Sequence, residues 1–406
     1  MSRATAIAAL AATVALAAGC GSAATHPRHA ATKASQPATP AITSVDWPLY
    51  GLTPDHHRYL DADVHPPFHP RWTFNSKGLL EFPPTISGNT IYQLNDNAVL
   101  NALDKDTGRQ LWYRQIGSLS ASTPAVGGGA VYATVLDRGN GDGRVVALGA
   151  SDGHVIWQRD LPSASESSPL LANGTLYFGT QGGTVYALNA ADGSVKWTYS
   201  AAGSVKGSPA LSNGVLYFGD YGDQVHAISA RTGNSIWTGH GSDSLYATAA
   251  VGFGRVYIGD TSGNEYAFDA RTGNQVWSVS TGSDVYAGAA VLDTPGVGPS
   301  VYLGSYDGNF YALDAATGGI RWKFDAGGRI SGSESIVGNV VYFADLGDHI
   351  TYGLDVRSGK VVYKFPHGAF DPVVSDGIRL YLDGIDSIVA LDPDQPPARS
   401  ATPPNG

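Results

Sequence analysis

The sequence predicts an all-β fold, an eight-bladed β-propeller of four-stranded antiparallel blades. Three observations predict it. Tryptophans recur at Trp72, Trp112, Trp157, Trp197, Trp237, Trp277 and Trp322, with Tyr363 next, at intervals of 40, 45, 40, 40, 40, 45 and 41 residues. Each interval holds four short β-rich runs parted by glycine turns, which is one propeller blade. The last interval stops after three runs, while a lone fourth-strand sequence, Arg71-Trp72-Thr73-Phe74, stands at the start of the array. An N-terminal strand that completes the last blade closes the ring and leaves no open edge.

Residues 1–19 read as a lipoprotein signal peptide. Arg3 gives a basic start, residues 4–18 an apolar stretch, and Leu16-Ala17-Ala18-Gly19 leads into Cys20. Cys20 is the only cysteine of 406 residues, so it forms no internal disulfide. Its place makes it the expected acylation site, with ordinary secretory cleavage as the alternative. Acyl chains contribute roughly 0.8 kcal/mol per buried methylene. The expected location is therefore extracytoplasmic, lipid-anchored to the outer face of the cell membrane or periplasmic. Residues 20–44 are rich in Ala, Thr, Ser and Pro and read as a flexible tether.

The repeats occupy 45–393. One unit is plain at 168–198. Ser168-Pro169-Leu170-Leu171 is followed by an Asn173-Gly174 turn, then Thr175–Gly179, Gly182-Gly183, Thr184–Leu188, Asp192-Gly193 and Ser194–Thr198. Asn-Gly between β-rich runs is a hairpin signal. The two long intervals carry turn insertions near 136–144 and 292–300. Residues 394–406, rich in Pro and Ala, read as a disordered tail. Hydrophobic residues make up 43% and charged residues 15%, with 52 glycines, a mix that suits short strands and tight turns. With 25 basic and 35 acidic residues the net charge is −10, which argues against nucleic acid as a partner.

The units resemble the pyrroloquinoline-quinone (PQQ)-like repeat family. The match is the pattern Ala-x-Asp-x-x-Thr-Gly-x-x-x-Trp, present as Ala102, Asp104, Thr107, Gly108 and Trp112. It returns from Ala267 to Trp277 and from Ala312 to Trp322, with variants at Trp197 and Trp237. The resemblance implies a structural, tryptophan-docking role for the seven tryptophans, each packed over a small alanine of a neighbouring blade. Enzymes of the family carry the quinone over a vicinal disulfide beside calcium. This chain cannot form that disulfide, lacks Cys-x-x-Cys-His and has no long insertions. PQQ is therefore not expected, and no catalytic residue is assigned. The quinoprotein dehydrogenase remains one alternative. A second resemblance is to the lipidated propeller family of outer-membrane β-barrel assembly, which implies scaffolding. The chain is expected to be a non-enzymatic propeller that binds or scaffolds a protein or small molecule.

Aligning the units places one residue per blade before the innermost strand: Glu81, Ala121, Glu166, Lys206, Tyr246, Tyr286 and Ser331, with Glu334 and Asp371 near. In a propeller this column rings the channel mouth on the face shared with the second-to-third connections. Glu81, Glu166, Lys206, Tyr246, Tyr286 and Glu334 are the expected ligand or partner contacts, because aromatic walls with a few convergent charges suit a pocket. His56, His57, His65 and His69 with Asp55, Asp61 and Asp63 read as a loop, not a metal site, since Pro66 and Pro67 bar a helical two-His array. The 137–143 run lacks the alternating oxygens and closing glutamate of a calcium loop. Asp220, Asp260, Asp307, Asp345 and Asp383 recur as turn residues.

Overall fold

Short alternating runs between glycine turns fold into eight four-stranded antiparallel blades set around a central channel, and Tyr59–Leu60 adds a short parallel strand to the inner edge of the seventh. The computed structural model describes residues 42–136 and 142–404, and these contain no helix. The leader, Cys20 and the tether up to residue 41 lie outside the described residues, as do 137–141 in the second blade and 405–406.

Blades 1 to 7 run in chain order, each from its innermost to its outermost strand. Blade 3 is typical, with Leu170–Ala172, Thr175–Phe178, Thr184–Asn189 and Val195–Ser200. Its Asn173-Gly174 turn has φ of 48° and 69°, the left-handed pair that a two-residue hairpin requires. Blade 8 takes Gly368–Ser375, Leu380–Gly384 and Ser387–Pro393 from the C-terminal end and its outer strand, Phe68–Asn75, from the N-terminal end. Trp72 stands opposite Ala390, so the ring closes where the orphan strand predicted.

Neighbouring blades are joined by a repeated polar clamp. Trp197 of blade 3 donates from Nε1 to the Ala230 carbonyl of blade 4 at 3.1 Å, and the Tyr177 hydroxyl donates to the same oxygen at 3.2 Å. Trp112 and Tyr92 do the same to Ala150, Trp237 and Tyr217 to Ala270, Trp277 and Tyr257 to Ala315, and Trp322 and Tyr302 to Val356. At closure, Trp72 and Tyr381 share the Lys105 carbonyl. The small residue under each indole is the turn glycine of the next blade, not the alanine expected. A Cβ on Gly233 would stand 2.8 Å from Trp197, whereas Ala187 faces Trp197 across strands within its own blade. Blade 7, with Tyr363 in place of tryptophan, makes no such clamp. Tyr342 Oη has no hydrogen-bond partner among the described residues, and Phe68 packs edge-on against Tyr363 at 5.1 Å.

Residues 45–60 seal the channel from within. The inner edge of each innermost strand presents backbone N–H groups to the axis, and this segment supplies carbonyls. Ile86, Val126, Leu211, Val251, Val291 and Ile336 donate to Trp47, Pro48, Pro54, Asp55, His57 and Arg58 respectively, over 2.7–3.1 Å. Val45 donates to Asp376 of blade 8. Every blade except the third is thus tied to one strap. Trp47, Leu52, His56 and Arg58 are buried in it, and Arg58 lies 4.2 Å over the Tyr50 ring. The four histidines do not converge: His56 and His57 bond the Ala249 and Val251 carbonyls, and His65 and His69 pair with Asp63 and Asp394. Among the described residues no cluster of three metal-ligating side chains forms.

The C-terminal segment differs from its expectation. Residues 394–404 lie against the body rather than forming a disordered tail. Asp394 donates to Pro67, Ala398 N–H to the Asp63 carboxylate, and Thr402 to Asp61, while Ala401 is buried. Proline-rich chain lacks internal hydrogen bonds, but it docks where a polar edge offers partners.

Two outcomes follow from these contacts. Trp197→Ala removes a half-buried indole and half of one clamp, and should cost about 3 kcal/mol in denaturant unfolding; a loss within error of zero would contradict the clamp. His56 is fully buried, and burial, then Arg58, push its imidazole from 6.5 down to about 3. The unfolded chain binds this proton near pH 6.5 and the folded chain does not. The stability of the neutral ring is therefore complete above pH 6.5 and lost as pH falls toward 3, by up to about 1.4 kcal/mol per unit. His56→Gln should flatten the melting temperature between pH 6.5 and 4, and an unchanged slope would refute the assignment.

Candidate functional site

Above the strap the channel opens as a blind mouth. The connection from each fourth strand to the next first strand meets the second-to-third turn there, as predicted. Tyr221 N–H donates to Ser204, Tyr306 to Asp284 and Leu346 to Arg329. Aspartates at these turns fasten the two connections: the Asp220 carboxylate accepts N–H groups from Ala202, Gly203, Gly222 and Gln224.

Five of the six expected contacts gather in this mouth. Lys206 Nζ lies 3.2 Å from the Glu166 carboxylate and sits over the rings of Tyr221 and Tyr246 at 5.1 and 5.8 Å. Tyr246 meets Tyr286 edge-on at 5.0 Å, and Tyr286 meets Tyr306 at 4.7 Å. Arg329 lies 5.5 Å over Tyr306. The result is a row of four tyrosines across blades 4 to 6, with a cation at each end. Tyr221 and Tyr306 escaped the sequence reading because they belong to the second-to-third turns, a column not aligned for the mouth. Their signal was present as the aromatic residue after Asp220 and Ser305.

Glu81 stands across the opening from this row. With Tyr246, Tyr286, Ser331 and Phe82 it lines a cavity of about 150 Å³ whose floor is Tyr50 of the strap. Tyr50 is fixed by a 2.9 Å hydrogen bond to Ser333. Burial, then Asp96 and Glu166, raise the Glu81 carboxyl above the ordinary range. Burial, then Glu166, lift the Tyr221 phenol to about 12 and push Tyr246 higher still. These hydroxyls stay protonated, so the mouth offers neutral donors beside one charged pair. Glu334 does not reach it. The side chain is fully buried, with Oε1 accepting from the Ala290 N–H at 2.6 Å. Three residues beyond Ser331 the chain has turned into the blade interface, where blades 1–4 carry Pro84, Pro124, Pro169 and Pro209. The Asp371 side chain lies outside the described residues.

A family model described as outer membrane protein assembly factor BamB matches residues 69–140, 141–290 and 266–391. Among solved structures, BamB from Moraxella catarrhalis aligns with TM-score 0.67 at 18% identity, covering 80% of this chain and 100% of that one. A europium-containing methanol dehydrogenase aligns with TM-score 0.71 at 13% identity, covering 83% and 89%. Quinohemoprotein alcohol dehydrogenase from Comamonas testosteroni aligns with TM-score 0.71 at 14% identity, covering 91% and 83%. At these identities the likeness is one of fold. No curated protein matches the chain.

Proposed function

We propose a function from one premise: the chain belongs to the propeller family described as outer membrane protein assembly factor BamB. It is a non-enzymatic binding or scaffolding propeller, held outside the cytoplasm through Cys20, and its blind mouth receives a ligand or an extended segment of a partner protein. The tyrosine row between Lys206 and Arg329 carries this reading. Tyrosines give broad, rigid contact area at little entropic cost, and each keeps a polar handle. Lys206 can exchange Glu166 for an incoming carboxylate, and the Tyr50 floor limits how deep a guest enters. If the partner is a barrel-assembly protein, this is scaffolding of outer-membrane assembly.

The dehydrogenase likeness supports a second reading, a quinone enzyme. The mouth residues do not fit a tricarboxylate quinone. Its cavity of about 150 Å³ is small, Glu81 is in the wall, and the lysine at its edge is paired with Glu166. The chain's only cysteine is Cys20, so the disulfide platform that the resemblance implies has no counterpart.

In envelope fractions, the full chain should retain at least one crosslinked partner that Lys206→Ala with Tyr246→Ala loses. The loss should reach about 2 kcal/mol or more of binding at unchanged melting temperature. Equal capture by both proteins would overturn the mouth as the binding face. Purified protein given PQQ and calcium should reduce no dye with alcohols or sugars. Substrate-dependent reduction would establish the enzyme instead.

A further inference from the structure

The joint that closes the ring, between blades 8 and 1, breaks the pattern of the others. In blades 3 to 7 the third strand carries a ring opposite a smaller or flexible polar residue on the outer strand. The cross-strand pairs are Tyr186 with Thr198, His226 with Thr238, Tyr266 with Ser278, Tyr311 with Lys323 and Tyr352 with Lys364. Two of these rings meet a ring of the preceding blade: Tyr199 and His226 lie 5.5 Å apart, and Phe324 and Tyr352 5.2 Å. In blade 1 the pair is inverted, with Asn101 on the third strand and Tyr113 on the outer strand. The joint is therefore emptied of its ring, and the displaced ring stands at the lip, 66% exposed.

The space left is a groove of about 420 Å³, within the range of small-ligand sites. Phe74 lies at one wall. Asn75, Asn95, Asn97, Asn101 and Gln110 give it five carboxamides, Lys77 one cation, and no carboxylate lines it. That is unusual in a chain of net charge −10. Much of the amide framework is locked in advance. Asn101 is 2% exposed and accepts from Gln110 Nε2 at 2.6 Å. Asn95 donates to Ser76 and accepts from the Val99 N–H. Asn75 accepts the N–H of Lys77, which is held at φ 61°. Among the described residues the Asn97 amide and the Tyr113 hydroxyl make no hydrogen bond.

We propose that this groove is a binding site for a short neutral oligosaccharide. The Asn97 carboxamide, with its donor and acceptor both unused among the described residues, presents them in one plane, which matches a pair of adjacent hydroxyls, and Gln110 Oε1 adds a second acceptor. An aromatic ring at the lip offers an apolar face to the C–H side of a pyranose. The Asp386 carboxylate behind the wall is taken up by Asn75 at 3.1 Å, and with one cation at the rim the wall favours an uncharged polyol over a charged peptide or nucleotide. The groove shares no lining residue with the tyrosine row or Lys206.

The test is titration of the purified protein with cellotriose, maltotriose and triacetylchitotriose, read by calorimetry and saturation-transfer NMR. At least one should bind. Tyr113→Ala should weaken that binding by about tenfold, the scale of one lost stacking ring, at unchanged melting temperature, and Asn97→Ala should weaken it too. Lys206→Ala with Tyr246→Ala should leave it unaltered. No binding of any of the three up to about 10 mM, or equal binding by Tyr113→Ala, would overturn the proposal. A loss caused by the mouth variant instead would move the sugar to the mouth.

Discussion

Six of the eight joints in this ring hang on one carbonyl oxygen that accepts two hydrogen bonds from the blade before it. An indole N–H and a phenol O–H converge on it, and the indole lies flat on a glycine that leaves no room for a side chain. A carbonyl has two lone pairs, so both donors are satisfied without competition. Each clamp couples hydrogen bonding to ring burial, and neither part survives if the next blade shifts. The blade angle is thereby fixed from outside, at the outermost strand, while the innermost strands are free to leave an axial space. Between blades 2 and 3 the Trp157 indole alone donates, to Ala190. Where the clamp is absent, between blades 7 and 8, apolar packing of Phe68 on Tyr363 substitutes for it.

That axial space would expose the unpaired edges of eight short strands. The strap of residues 45–60 bonds seven of the eight blades at this edge, and in doing so shapes the channel. A through-channel becomes a shallow cup with Tyr50 as its floor. The mouth is thus assembled from two sources: a rim supplied once per repeat and a base supplied once by the strap. Placing polar, nearly neutral groups around a small cup suits recognition by shape and hydrogen bonding more than by charge.

Repetition made the architecture legible in the sequence. Tryptophan spacing located the blades, and the orphan Arg71-Trp72 strand announced closure, because a fourth strand without the other three has one place to go. The mouth was legible in part, since Lys206, Tyr246 and Tyr286 fall in a repeated column. Features that occur once were not legible. The strap has no repeat to betray it, and its histidines resembled a solvated loop although His56 is buried. Glu334 looked like a neighbour of the rim, but the connection has already turned inward by that residue, just before the strand at Ser335–Val337. Glu265 is a similar exception. Its column holds Leu100, Val185, Val225 and Phe310 in other blades, yet Glu265 is buried there and, by desolvation first, kept protonated far above the usual carboxylate range. Composition misled at 394–404, where proline and alanine suggested disorder but single polar contacts hold the segment down.

The two ends of the described chain meet, since Thr43 bonds Ser400, and this has a mechanical consequence. A pulling force transmitted from the N-terminal side enters at Thr43 and reaches the strap before it reaches any blade. The strap's bonds then open in succession, Val45 from blade 8, then Trp47 from blade 1, then Pro48 from blade 2, each about 1 kcal/mol, as a zipper and not as a sheared sheet. The strap works as a mechanical fuse: modest tension would unseat it and drop the Tyr50 floor while the clamps on the rim still hold the ring closed.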